Sequence, residues 1–162
     1  MTILSYAPIG LEAIDSNGPR ILFAEHHRQL RRAGTELMCI AHEDDCFALV
    51  AAFRNLEQQL REHMRAEEEL VLPAYTEAFP EDATAVRDAH AAIRKQLDQT
   101  ALDIELHAVR LVSIRALLAL LDEHAKAEDL RMYPWAQVHL PITTRSTIGA
   151  RMIESIRMLA AR

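Results

Sequence analysis

A pattern that occurs twice constrains this chain more than any other feature. His63-Met-Arg-Ala-Glu67 and His124-Ala-Lys-Ala-Glu128 each place a Glu four residues after a His, inside a stripe that is otherwise apolar. Each copy has a second acid directly after the Glu (Glu68, Asp129) and a Pro ten residues after the His (Pro73, Pro134). On a helix, positions i and i+4 lie on one face, so each copy presents an imidazole and a carboxylate to the same side. Polar groups in mid-stripe are tolerated in a core only when a partner satisfies them. The fold therefore has to give these polar pairs a buried partner, and two such faces in one bundle make a candidate metal site.

The rest of the periodicity supplies the helices for this. Leu22, Phe23, His27, Leu30, Gly34 and Leu37 recur at three- and four-residue steps and predict a helix over about 19–41, started by Asn17-Gly18-Pro19. A helix over about 46–78 carries Leu49, Phe53, Leu56, Leu60, His63, Glu67, Leu70 and Ala74, with a kink expected near Pro73. A third, about 82–106, turns Val86, His90, Ile93, Leu97 and Ile104 inward; a fourth, about 109–133, turns in Leu117, Leu120, Leu121, His124 and Glu128 and is expected to end at Pro134 and then Pro141. Half of the 162 residues are apolar and only 4 are Gly, a composition that favours packed helix over disorder. The expected fold is all-α: an antiparallel up-down-up-down four-helix bundle over 19–137 with a short C-terminal fifth helix. Residues 1–18 form a lead-in whose Ile3, Tyr6, Ile9 and Leu11 could pack on the bundle, and 138–162 form a helical tail. In the tail Ile148, Met152, Ile156 and Leu159 share a face, for packing on the bundle or for a second copy or protein partner through 143–162.

Several function classes drop out. A net charge of −6 provides no basic footprint for nucleic acid. No run of about 18 apolar residues is present, so no membrane span is expected, and the first residues lack a basic, then apolar, leader pattern. Cys39 and Cys46 do not form a Cys-x-x-Cys pair and read as small, half-buried helix residues without a disulfide, which points to a cytoplasmic location. Glu-x-x-His, His-Glu-x-x-His, Gly-rich phosphate loops and Gly-x-Ser-x-Gly are all missing.

Six side chains on four helices remain: His27, His63, Glu67, His90, His124 and Glu128. The spacing from His27 to His63 is 36 residues and from His90 to His124 is 34, so the halves look duplicated. Imidazole and carboxylate suit iron, zinc or manganese, and bundle cores are where such sites are built. The plainer alternative is four core histidines bonded to carboxylates with no metal. The repetition of the pattern favours the cation, which explains two carboxylates on apolar stripes. On the first helix His27 matches the stripe better than His26, which is left as a supporting or outward residue. His42 and His107 lie about 22–26 Å along their helices from His27 and His90, at about 1.5 Å per residue, and His139 lies beyond Pro134; all three read as surface residues. Glu68, Glu69 and Asp129 face solvent or orient the histidines. Tyr75, Tyr133 and Trp135 read as packing near the bundle end.

The segments Glu25-His26-His27-Arg28-Gln29-Leu30-Arg31, His63…Glu67-Glu68…Leu72-Pro73, Ala89-His90-Ala91-Ala92-Ile93 and His124…Glu128…Met132-Tyr133-Pro134 together resemble the hemerythrin-like (HHE cation-binding) domain family over about residues 19–137. The resemblance implies a four-helix bundle holding an oxo- or hydroxo-bridged pair of iron ions. It further implies Glu67 and Glu128 as bridges and His27, His63, His90 and His124 as terminal ligands. Oxygen carriers of that family have His-x-x-x-His on the third helix, whereas this chain has Arg94 at the second position. That departure turns the expectation from reversible oxygen carriage towards binding of O2, NO or peroxide for sensing, storage or detoxification. The alternatives are a di-iron oxidoreductase turning over peroxide and an iron-responsive regulatory module.

Overall fold

A computed structural model of the chain describes residues 18–43, 45–106 and 111–160. All of the lead-in except Gly18, and also Asp44 and His107, lie outside the described residues. Every element among the described residues is helical. Helix α1 spans Pro19–His42, α2 Cys46–Leu70, α3 Leu72–Ala78, α4 Pro80–Glu105, α5 Leu111–Ala127, α6 Tyr133–His139 and α7 Ile142–Ala160, with a π-helical segment, Glu128–Met132, joining α5 to α6.

Local chemistry explains the boundaries. Pro19 and Pro80 sit in the first turns of their helices, where the missing N–H has no partner to lose. Asp45 caps α2, its carboxylate accepting from the Ala48 N–H at 2.9 Å. The expected kink in the second helix falls at Val71. Pro73 cannot donate to the Glu69 carbonyl, and it opens α3 instead.

The expected end at Pro134 is corrected. The chain passes through Pro134 and stays helical to His139, breaking only at Leu140-Pro141. The π turn is the reason. The Tyr133 N–H bonds to the Glu128 carbonyl five residues back, and Pro134, which has no N–H, falls where the hydrogen-bond register changes. Both cysteines are also corrected, from half-buried to exposed; they are free, as expected.

Helix α1 packs on α2 and α5, and α4 packs on α5 and α2, so the four long helices close a ring. Helix α7 lies against α1 and α2, with Ile148 and Met152 fully buried; the side chains of Ile156 and Leu159 lie outside the described residues.

The core is in two parts. One cluster holds Leu30, Leu37, Phe53, Leu56, Leu60, Met64, Ile93, Leu97, Ile114 and Leu117. The other holds Phe23, Ala66, Val71, Leu72, Tyr75, Met132, Tyr133, Ala136, Ile148 and Met152. His27 lies between Phe23 and Leu30 in sequence, His63 between Leu60 and Ala66, and Glu128 between Leu121 and Met132. The polar residues thus form a layer with an apolar seal on each side. No helix among the described residues is long and apolar enough to cross a membrane.

Asp45→Ala removes the α2 cap and is expected to cost about 0.5–2 kcal/mol in urea unfolding, with Asp45→Asn close to neutral. Equal loss in both variants would show that the side-chain oxygen does not cap the helix.

Candidate metal centre

All six sequence-predicted residues reach the polar layer. His63, Glu67 and His90 are completely buried, and His27, His124 and Glu128 are at most 4% exposed. One ligand atom each from His27, His63, Glu67, His124 and Glu128 falls within 4.8 Å of the others. His90 stands at the edge of that group, its Nε2 3.3 Å from Glu67 Oε2 and 3.7 Å from Glu128 Oε1.

The carboxylates are central and the imidazoles surround them. Glu67 meets the Nε2 of His63 at 3.3 Å and of His90 at 3.3 Å. Glu128 meets His124 at 3.1 Å and His27 at 3.5 Å. The Nε2 atoms of His27 and His63 face each other at 2.9 Å.

Proximity here is not satisfaction. Glu67 Oε2, Glu128 Oε1, His90 Nε2 and His124 Nε2 are all buried, and none has a directed hydrogen bond. Buried polar atoms without partners are rare and costly. A convergent set of carboxylate oxygens and imidazole nitrogens with unused lone pairs is what a divalent or trivalent cation requires. The residues present therefore fit a metal.

The electrostatics are those of a closed cluster. Burial opposes the charge of Glu67, but His63 and His90 outweigh it and hold the carboxyl well below the usual range. Burial also works against a charged His27, yet Asp129 and Glu128 raise it to about 9. In His90 the same opposition ends at about 10, through Glu128 and Glu67. Burial wins at His124, which falls to about 4 despite the two carboxylates. In the metal-free protein, protonated His27 and His90 thus face the Glu67 and Glu128 carboxylates, and His124 stays neutral.

The acid that follows each Glu has a defined task. Glu68 Oε1 accepts from His90 Nδ1 at 2.8 Å, and Asp129 Oδ1 accepts from His27 Nδ1 at 3.4 Å. Each copy of the pattern therefore supplies an imidazole, a central carboxylate and a carboxylate that orients a histidine of another helix. Glu69 instead bonds Arg65 and Arg151, tying α2 to α7.

Arg94 does not enter the cluster. Its guanidinium makes a bidentate pair with Glu68, both contacts at 2.8 Å, and so braces the carboxylate that holds His90.

Of the two readings of His26, supporting or outward, the structure places it in the first: it is fully buried with its Nδ1 2.8 Å from His63 Nδ1. One residue departs from expectation. Tyr133, read as packing near the bundle end, is fully buried in the layer. Its hydroxyl contacts Glu67 and lies 3.0 Å from Glu128 Oε2, 3.2 Å from His27 Nε2 and 3.4 Å from His63 Nε2. Its ring stacks on Phe23, centroids 4.5 Å apart and planes within 7°. On an ordinary helix residue i+5 lies about 140° around from residue i; the wide π turn from Glu128 to Tyr133 brings the two together. His42 and His139 are exposed, as expected, His139 lying on the Trp135 ring.

The family model of the hemerythrin HHE cation binding domain matches residues 19–136. The chain belongs to that family. No curated protein and no solved structure gave a match.

Tyr133→Phe deletes one hydroxyl while keeping the ring on Phe23. It is expected to lower the stability of the metal-free protein by about 1–3 kcal/mol in urea unfolding, because two buried carboxylates lose a donor. An unchanged midpoint would show that the hydroxyl does not support them.

Proposed function

We propose that the chain is a non-haem di-iron protein built on an antiparallel up-down-up-down bundle, and that it binds a small ligand such as O2, NO or peroxide for sensing, storage or detoxification. The observation that carries the reading is the buried layer of six imidazole and carboxylate side chains with unpartnered inward atoms. The ring of contacts among α1, α2, α4 and α5, with short connections, supports the bundle.

In this reading His27, His63, His90 and His124 hold the metal at the periphery, and Glu67 and Glu128 hold it from the centre. Glu67 turns Oε1 towards His63 and Oε2 towards His90, while Glu128 turns Oε2 towards His124 and Oε1 towards His90. A carboxylate with its two oxygens directed at different imidazoles is suited to serve two ions at once. Bound iron would supply Lewis acidity, as zinc on the same donors would, and also one-electron chemistry, which zinc would not.

The protein's own contribution is orientation, charge and dryness. Glu68 and Asp129 hold the Nδ1 atoms of His90 and His27, which leaves each Nε2 for the cluster. Tyr133 keeps a hydroxyl donor between the two carboxylates. The two apolar clusters exclude bulk water and strengthen every interaction in the layer.

Protein expressed with iron is expected to carry about two iron ions per chain by elemental analysis, as other bundle carboxylate sites do. His63→Ala and Glu67→Ala should each lose most of it. Wild-type protein with iron near zero, or variants that keep a full complement, would contradict the proposal.

A further inference from the structure

Two of the histidines already described have a carboxylate partner at Nδ1, but His63 does not. His27 and His90 each offer Nδ1 to a carboxylate. His63 is completely buried, and the group at its Nδ1 is another imidazole, His26, at 2.8 Å. Two imidazole nitrogens at that separation need one proton between them, so one donates and the other accepts.

The surroundings decide which. His63 Nε2 faces His27 Nε2, Glu67 and the Tyr133 hydroxyl inside the layer. If that nitrogen keeps its lone pair for a cation, the His63 proton sits on Nδ1 and His26 must accept it. His26 then carries its own proton on Nε2. That atom is buried and bonds no neighbour among the described residues. The opposite arrangement would direct a His63 Nε2–H into the layer, where that nitrogen could not hold a cation.

We propose that His26 is a positioning residue: its Nδ1 accepts the His63 Nδ1–H and fixes the His63 tautomer that presents Nε2 to the metal. The inference rests on the metal-holding reading of the layer. It assigns to a neutral imidazole the task that Glu68 and Asp129 perform for His90 and His27.

The test uses the full chain labelled with 15N-histidine and loaded with Zn(II) alone, a diamagnetic ion that takes the same donors. Long-range 1H–15N spectra are expected to give His63 as the Nδ1–H tautomer, with that proton exchanging slowly, and His26 as the Nε2–H tautomer. His26→Leu should weaken zinc binding about 10- to 100-fold. His26→Asn, whose amide oxygen can stand near the Nδ1 position, should recover most of that loss. A His63 Nε2–H or a His26 Nδ1–H in the zinc-loaded wild type overturns the assignment, and this result is available even if His26→Leu does not fold. Undiminished zinc affinity in folded His26→Leu, or no recovery with Asn, also overturns it. Failure of the wild type to bind zinc would instead remove the metal reading on which the inference stands.

Discussion

Two carboxylates, Glu67 and Glu128, are buried together in mid-core, and the rest of the structure answers to that placement. A buried anion without compensation costs several kcal/mol, and a neighbouring one adds repulsion. Four imidazoles and a phenol from five elements converge on the pair. Their convergence requires α1, α2, α4 and α5 to meet at one level, and the apolar clusters above and below hold them there. Even so, four inward atoms stay unpartnered, so the layer is not a closed hydrogen-bond network and its donors could hold a cation.

The residues around the layer act mostly through geometry. Arg94 touches none of the six; it grips Glu68, which in turn grips His90. Asp129 plays the part of Glu68 in the other half, and the two acids make the internal duplication of the chain visible in three dimensions. The symmetry stops at His26 and at the π turn. Among the described residues only α1 carries a second buried histidine, and only the segment after the second pattern widens to bring a tyrosine into the layer.

Much of this was legible in the sequence because it depends on period. Helical spacing placed Phe23, Leu30, Leu60, Ile93 and Leu117 inward, and all are buried. The same spacing put His27, His63, Glu67, His90, His124 and Glu128 on those faces, and the structure brings them together. What period could not reveal was Tyr133 and the helix beyond Pro134. Both follow from one π turn, which shifts every later residue around the axis, and a constant step of 100° per residue reads straight past it. For His26 the sequence left two readings open, supporting or outward. It lies off the stripe, and its burial against His63 of α2 is a tertiary effect that no local pattern carries. The role of Arg94 also needed coordinates, since its partner Glu68 lies on another helix.

The central claim is that a metal, held by this layer, resolves its buried charge. The most direct measurement is the thermal midpoint of metal-stripped protein against the same protein reloaded with iron, at fixed pH and protein concentration. Anything that binds the native state alone raises stability by mass action, so reloading should raise the midpoint clearly in the wild type and not in Glu67→Ala. Equal midpoints for the stripped and reloaded wild type would contradict the account.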